Sequence, residues 1–158
     1  MTLTSAAVLL SRLLTPDRIR VPLLARDKPG VLRELVELLV GTAGGSADDI
    51  LHAVRDREDA QSTGFGHGIA IPHARTPTLP GLTLVAGRTA TPIDYGAVDG
   101  LPVQLFFLVA GPEVAAGDQV RALARIARLV RRDSLRERLL KSPSAEDFAR
   151  TVEEAERV

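Results

Sequence analysis

Apolar positions along the chain change their spacing several times, and each change marks an element. Leu3 to Leu14 carries enough Leu and Ala for a short helix, which Thr15-Pro16-Asp17 breaks. Ile19 to Ala25 reads as a strand, and Pro22, unable to donate to a ladder, favours a sheet edge. Asp27 is placed to cap a helix with Pro29 just inside it. Leu32, Leu35, Val36 and Leu39 follow at helical spacing, and Gly41 to Gly45 end the segment. Ser46 with Asp49 resembles a capping box that opens a helix of Ile50, Leu51 and Val54, running to about Arg57. After a polar, glycine-bearing stretch from Glu58 to Gly68 comes a short apolar run, Ile69-Ala70-Ile71, stopped by Pro72-His73. Leu82 to Arg88 is a further strand, Ile93 marks a bend, and Asp99-Gly100 a loop. Val103 to Ala110 is nearly all apolar, as a strand covered on both faces should be. Leu123, Ile126, Ala127 and Val130 then form a helical stripe. Ser144 caps a last helix, with Asp147 at its third position and Phe148, Val152 and Ala155 facing inward. Strands alternate with helices, which predicts an α/β chain with helices on both faces of one sheet.

Composition narrows this picture. A length of 158 residues suits a single domain over 1–158, and 45% apolar residues suffice for a core. Aromatics, at 3%, are too few for a stacking surface that binds single-stranded nucleic acid. Lys plus Arg and Asp plus Glu number twenty each, so no overall field draws nucleic acid or an anionic membrane. Cysteine is absent, which removes disulfides, thiolate metal sites and a cysteine nucleophile, and fits a reducing compartment. Ala6 to Leu10 is apolar but lacks a basic leader and is interrupted by Arg12, so it is not read as a signal peptide. No run approaches the ~20 apolar residues that span a bilayer, and a cytoplasmic location without membrane insertion is expected.

The chemistry concentrates between Arg57 and Arg75. Arg57 sits near the C-terminus of its helix. Ser62, Thr63, Gly64, Gly66 and Gly68 offer hydroxyls and amides in a loop able to curl around phosphate oxygens. His73 follows an apolar run and a proline that fixes its backbone. A histidine with an ordinary pKa of ~6.5 keeps a neutral nitrogen free near neutral pH, provided a neighbour such as a backbone carbonyl orients the other nitrogen. Phosphoryl transfer then rests on alignment and charge stabilisation, and a guanidinium supplies both; that role falls to Arg57. Two rivals fail. His67 and His73 as ligands of one metal ion would be ~20 Å apart on an extended chain. A dinucleotide fingerprint opens a helix after a strand, whereas these glycines precede one.

The same residues carry a resemblance. Arg57-Glu58, Ser62-Thr63-Gly64 and Gly66 through His73 resemble the signature of the type-2 enzyme IIA family of the bacterial phosphotransferase system, the fructose, mannitol and nitrogen-regulatory branch. Thr91-Pro92-Ile93-Asp94, Asp99-Gly100, Pro102-Val103, and Leu123-Ala124 with Ile126-Ala127 extend the likeness over nearly the whole chain. It implies a three-layer α/β/α sandwich with a mixed sheet and no cofactor. It also implies phosphorylation of His73 by the small carrier HPr and onward transfer to a cysteine of enzyme IIB, or control of a regulated partner. Such a protein is a phosphohistidine carrier rather than a stand-alone turnover enzyme.

Two positions depart from the pattern. Gln119 stands where sugar-transporting members carry a second histidine; it cannot titrate, although it can hydrogen-bond. His67 replaces a small polar residue, often Asn, and is an auxiliary candidate beside His73. The absent second histidine and the length without a fused transporter lean toward regulation. Arg121, Arg125, Arg128, Arg132 and Arg136 make a basic stripe, read as a solvated face with a docking surface as the alternative.

Overall fold

The computed structural model describes residues 8–157. Of the helix expected over Leu3 to Leu14, residues 3–7 lie outside the described residues. Its remainder contains α1 (Leu10–Leu13), and a 3-10 turn at Pro16–Arg18 leads into β1 (Ile19–Leu23). Two helices follow, α2 (Lys28–Ala43) and α3 (Ala47–Ala60). Asp27 and Ser46 cap them by accepting from the amides of Gly30 (2.8 Å) and Asp49 (3.2 Å). Then come β2 (Gly64–Gly66), β3 (Ile69–Ala70), β4 (His73–Arg75), β5 (Thr83–Ile93) and β6 (Val103–Gly111). A 3-10 turn at Glu113–Ala115 precedes α4 (Ala116–Leu129), α5 (Asp133–Leu140) and α6 (Ala145–Glu156).

The strands form one mixed sheet in the order β1-β5-β6-β3-β2, with β4 also on β6. β1 is an edge strand, as Pro22 requires. β5 and β6 are antiparallel, whereas β3 and β4 both run parallel to β6. Along β6 the side chains alternate between two cores: Phe106, Leu108 and Ala110 face α2 and α3, while Leu105, Phe107 and Val109 face α1, α4, α5 and α6. A period of two on a strand buried on both sides therefore yields three layers, α/β/α.

Several boundaries differ from the sequence pattern for local reasons. β5 continues through Thr91-Pro92 to Ile93, past its expected end at Arg88. Its register on β6 slips between Arg88 and Ile93, and Gln104 Nε2 donates to the carbonyls of Thr89 (2.9 Å) and Ala90 (3.2 Å) in the gap. α2 runs through Gly41, and α3 extends to Ala60, which brings Glu58 onto a buried helical turn. The arginine stripe is divided. α4 ends at Leu129, and Arg136 on α5 turns back to donate to the Val130 carbonyl (2.7 Å). Arg125 pairs with the buried Glu156 carboxylate (2.7 Å), which also accepts from the amides of Leu10 and Ser11. The face is thus tied into the fold at Arg125, Arg132 and Arg136. No described helix is long and apolar enough to cross a membrane.

Gly87 marks the closest approach between β5 and β1. A Cβ there would sit 2.6 Å from the Arg20 carbonyl oxygen and 2.8 Å from Leu23 Cγ. Gly87→Ala is expected to cost about 1–3 kcal/mol by forcing β1 outward, which thermal unfolding would read as a Tm several degrees lower.

Candidate functional site

Pro72 has no amide hydrogen, yet the chain does not leave the sheet there. Its carbonyl accepts from the Val109 amide (3.0 Å), and β4 pairs His73, Ala74 and Arg75 with Val109, Ala110 and Gly111. His73 is therefore the first residue of a short inner strand, held by main-chain bonds on a rigid element.

The ring is oriented by its own neighbour. His73 Nδ1 lies 2.9 Å from the Ile71 carbonyl oxygen. A carbonyl only accepts, so the ring proton resides on Nδ1 and the lone pair on Nε2. Burial lowers the pKa of His73 from its ordinary value; the Ile71 bond raises it, the positive charge of Arg57 lowers it, Glu58 raises it and Arg75 lowers it, and the balance is downward. The shift favours the neutral ring of the half-buried imidazole.

Ile71 is anchored in turn. Its amide donates to the Thr63 carbonyl (3.1 Å), and Thr63 is fastened to Glu58 by its amide (2.7 Å) and its hydroxyl (2.5 Å). Glu58 is only 5% exposed; it also receives the Tyr95 hydroxyl (3.0 Å) and pairs with Lys28 (3.1 Å), whose ammonium stands 4.3 Å from the Tyr95 ring centroid. Burial pushes the Glu58 carboxyl up, but the two Thr63 bonds and Lys28 outweigh it and hold the pKa below its ordinary value. Glu58, which the motif pairs with Arg57 in sequence, is the anchor of the loop.

His73 opens into a cavity of about 330 Å³ lined by Ala53, Arg57, Ala74, Arg75, Gln119 and Leu123, among others. The structure thus brings together His73, Arg57 and Gln119, and adds Arg75, which the sequence reading passed over. Arg57 comes from the last turn of α3, and its Nη1 donates to the Gln61 carbonyl (2.7 Å). Gln119 is 3% exposed; its Nε2 donates to the carbonyls of Ala74 (3.2 Å) and Val109 (3.5 Å), and its Oε1 has no partner among the described residues. Both neighbouring oxygens are acceptors, which fixes the amide's orientation and turns an acceptor, not a donor, toward any further group.

The remaining expected residues lie elsewhere. Ser62, Thr63 and Gly64 do not line the cavity. Thr63 gives both donors to Glu58, and the Gly64 amide donates to Ser62 Oγ (3.1 Å), so the loop satisfies itself. Gly64 is glycine because a Cβ would lie 2.9 Å from that of Ala97. His67 and Gly68 form the two-residue turn of the β2–β3 hairpin, with φ of 59° and 77°. Positive φ at both positions is what a primed hairpin turn demands, and it favours Asn or Asp at the first. His67 is exposed at that tip, where its amide donates to Asp99 (3.2 Å). The ladder positions of Ile69 and His73, opposite Leu105 and Val109, put the tip at the far end of the strand, roughly 13 Å away.

Comparison with known proteins identifies the family. The family model described as "Phosphoenolpyruvate-dependent sugar phosphotransferase system, EIIA 2" matches residues 12–155. A nitrogen regulatory protein of Bradyrhizobium diazoefficiens is 35% identical over 134 residues, covering 85% of this chain and 88% of that protein. The fructose-specific EIIABC component of Bacillus subtilis is 34% identical over 138 residues; the match covers 85% of this chain but only 21% of that longer protein. The crystal structure of the nitrogen regulatory protein IIA-Ntr from Neisseria meningitidis superposes with a TM-score of 0.85 at 31% identity, covering 91% of this chain and 99% of that one.

Two measurements check the site. In an NMR titration, the His73 ring should show a midpoint below the ordinary value of about 6.5. Glu58→Ala should cost about 2–4 kcal/mol in chemical denaturation. Because the folded carboxyl sits below its unfolded value, its contribution is full above about pH 4.3 and is lost as pH falls through the folded value. Wild type should therefore lose more stability than Glu58→Gln over that acid range.

Proposed function

The chain belongs to the EIIA type-2 family of the phosphoenolpyruvate-dependent sugar phosphotransferase system, and from that premise we propose that it is a cytoplasmic phosphocarrier accepting a phosphoryl group on Nε2 of His73. The donor is phosphorylated HPr or a carrier of that type. The observation that carries this reading is the Nδ1 bond to the Ile71 carbonyl, which leaves Nε2 as the nucleophile in a cavity lined by cations.

In the transfer, the Nε2 lone pair attacks phosphorus in line while the donor's P–N bond breaks, and the donor ring nitrogen keeps that electron pair. The His73 proton stays on Nδ1, shared with the Ile71 carbonyl. The phosphorylated ring is therefore cationic and remains a good leaving group for onward transfer. Arg57 stabilises the charge spread over the phosphoryl oxygens. Ser62, Thr63 and Gly64 serve this chemistry at one remove, by holding the Thr63 carbonyl to which Ile71 is bonded.

Gln119 favours a second reading, in which phosphorylation selects a regulated partner and no phosphate passes to the enzyme IIB of a transporter. Its amide nitrogen is committed to two carbonyls, and its buried oxygen has no proton to give.

Incubation with phosphoenolpyruvate, enzyme I and HPr should add one acid-labile phosphoryl group by intact mass, and His73→Ala should abolish it. Arg57→Ala should slow the uptake roughly 100-fold with the fold unchanged by circular dichroism. No mass gain with demonstrably active donors would exclude the phosphocarrier. Addition of a cysteine-bearing IIB separates the two readings: rapid loss of the phosphoryl group marks transport, and retention marks regulation.

A further inference from the structure

Resting on the phosphocarrier reading, we propose that Arg75 is a second phosphoryl-binding cation of this site, held in reserve by Glu113. On β4 the buried Ala74 separates His73 from Arg75. Strand side chains alternate, so the imidazole and the guanidinium stem leave the same face about 7 Å apart. Both line the cavity that Arg57 enters from α3. The ladder of β4 on β6 fixes this spacing, whereas the guanidinium can swing on its own stem.

What occupies it is weakly held. Arg75 Nη1 donates to Glu113 Oε2 at 3.1 Å, and the two side chains are 49% and 77% exposed. Solvent screens such a pair. Glu113 belongs to the 3-10 turn between β6 and α4, does not line the cavity and makes no bond that orients His73. A phosphoryl group on Nε2 places nearly two negative charges and three acceptor oxygens in the partly shielded space that Arg75 already lines. The guanidinium exchanges an exposed monoanion for that group, without gaining or losing a proton. Arg57 cannot give its whole fork, since one amino group is bonded to the Gln61 carbonyl at 2.7 Å. Two cations from different elements then clamp the transferring group, with Arg57 reaching from the helix and Arg75 from the strand.

The test compares Arg75→Ala, Arg75→Lys and Glu113→Gln in the full chain, supplied with phosphoenolpyruvate, enzyme I and HPr. Phosphoryl uptake should fall roughly tenfold or more in Arg75→Ala, recover in part in Arg75→Lys, and be equal or faster in Glu113→Gln. If Arg75 serves only as half of a structural ion pair, Arg75→Ala and Glu113→Gln fall together, and the proposal is overturned; an unchanged rate in Arg75→Ala overturns it too. A second arm needs no donor. The NMR titration midpoint of His73 should rise in Arg75→Ala and fall in Glu113→Gln, and a fixed midpoint in Arg75→Ala contradicts the placement. Wild type that takes up no phosphoryl group refutes the phosphocarrier and this clamp with it, while loss of the effect in Arg75→Ala alone refutes only the clamp.

Discussion

A carbonyl oxygen can only accept a hydrogen bond, and so the 2.9 Å contact between the Ile71 oxygen and His73 Nδ1 settles where the ring proton lies. Everything chemical in the site follows from that placement. It leaves the lone pair on Nε2 of a ring that lines a cavity with Arg57 and Arg75. The constraint is made of main chain. Ile71 is set by Thr63, Thr63 by Glu58, and Glu58 by Tyr95 and Lys28. A buried carboxylate two elements away from the imidazole thus holds the carbonyl that orients it.

Electrostatics in the cavity must satisfy two opposed demands. The proposed phosphocarrier needs a neutral imidazole before transfer and positive charge around the phosphoryl group once it arrives. Burial together with Arg57 and Arg75 disfavours imidazolium, and in the proposed transfer the same guanidinium groups favour the dianion. One set of charges therefore meets both demands. Gln119 fits neither directly: its fixed amide offers only an oxygen, so this site lacks the titratable neighbour that sugar-transporting relatives were expected to carry.

Much of the architecture was legible in the sequence because it rests on periodicity and capping. The alternation in β6, the caps at Asp27, Ser46 and Ser144, and the edge position of Pro22 all follow from local rules. His73 stands out in the sequence through its motif, and the structure sets it at the cavity. The bonding within the glycine-rich loop was not legible. Ser, Thr and Gly next to a histidine suggest a phosphate cradle, but here Thr63 is consumed by a buried glutamate and His67-Gly68 by a hairpin turn. No sequence rule revealed that Glu58 would be buried, since α3 extends one turn beyond its apolar pattern. Arg75 was missed for a related reason. Its place beside His73 depends on the chain re-entering the sheet after Pro72, and a proline ordinarily ends a strand.

The tautomer of His73 determines which ring nitrogen carries the phosphoryl group. With ring nitrogens labelled by 15N, the phosphorylated protein should show phosphorus coupling at Nε2 of His73 and a retained proton on Nδ1. Coupling at Nδ1, or at either nitrogen of His52 or His67, would contradict the tautomer on which the site is built.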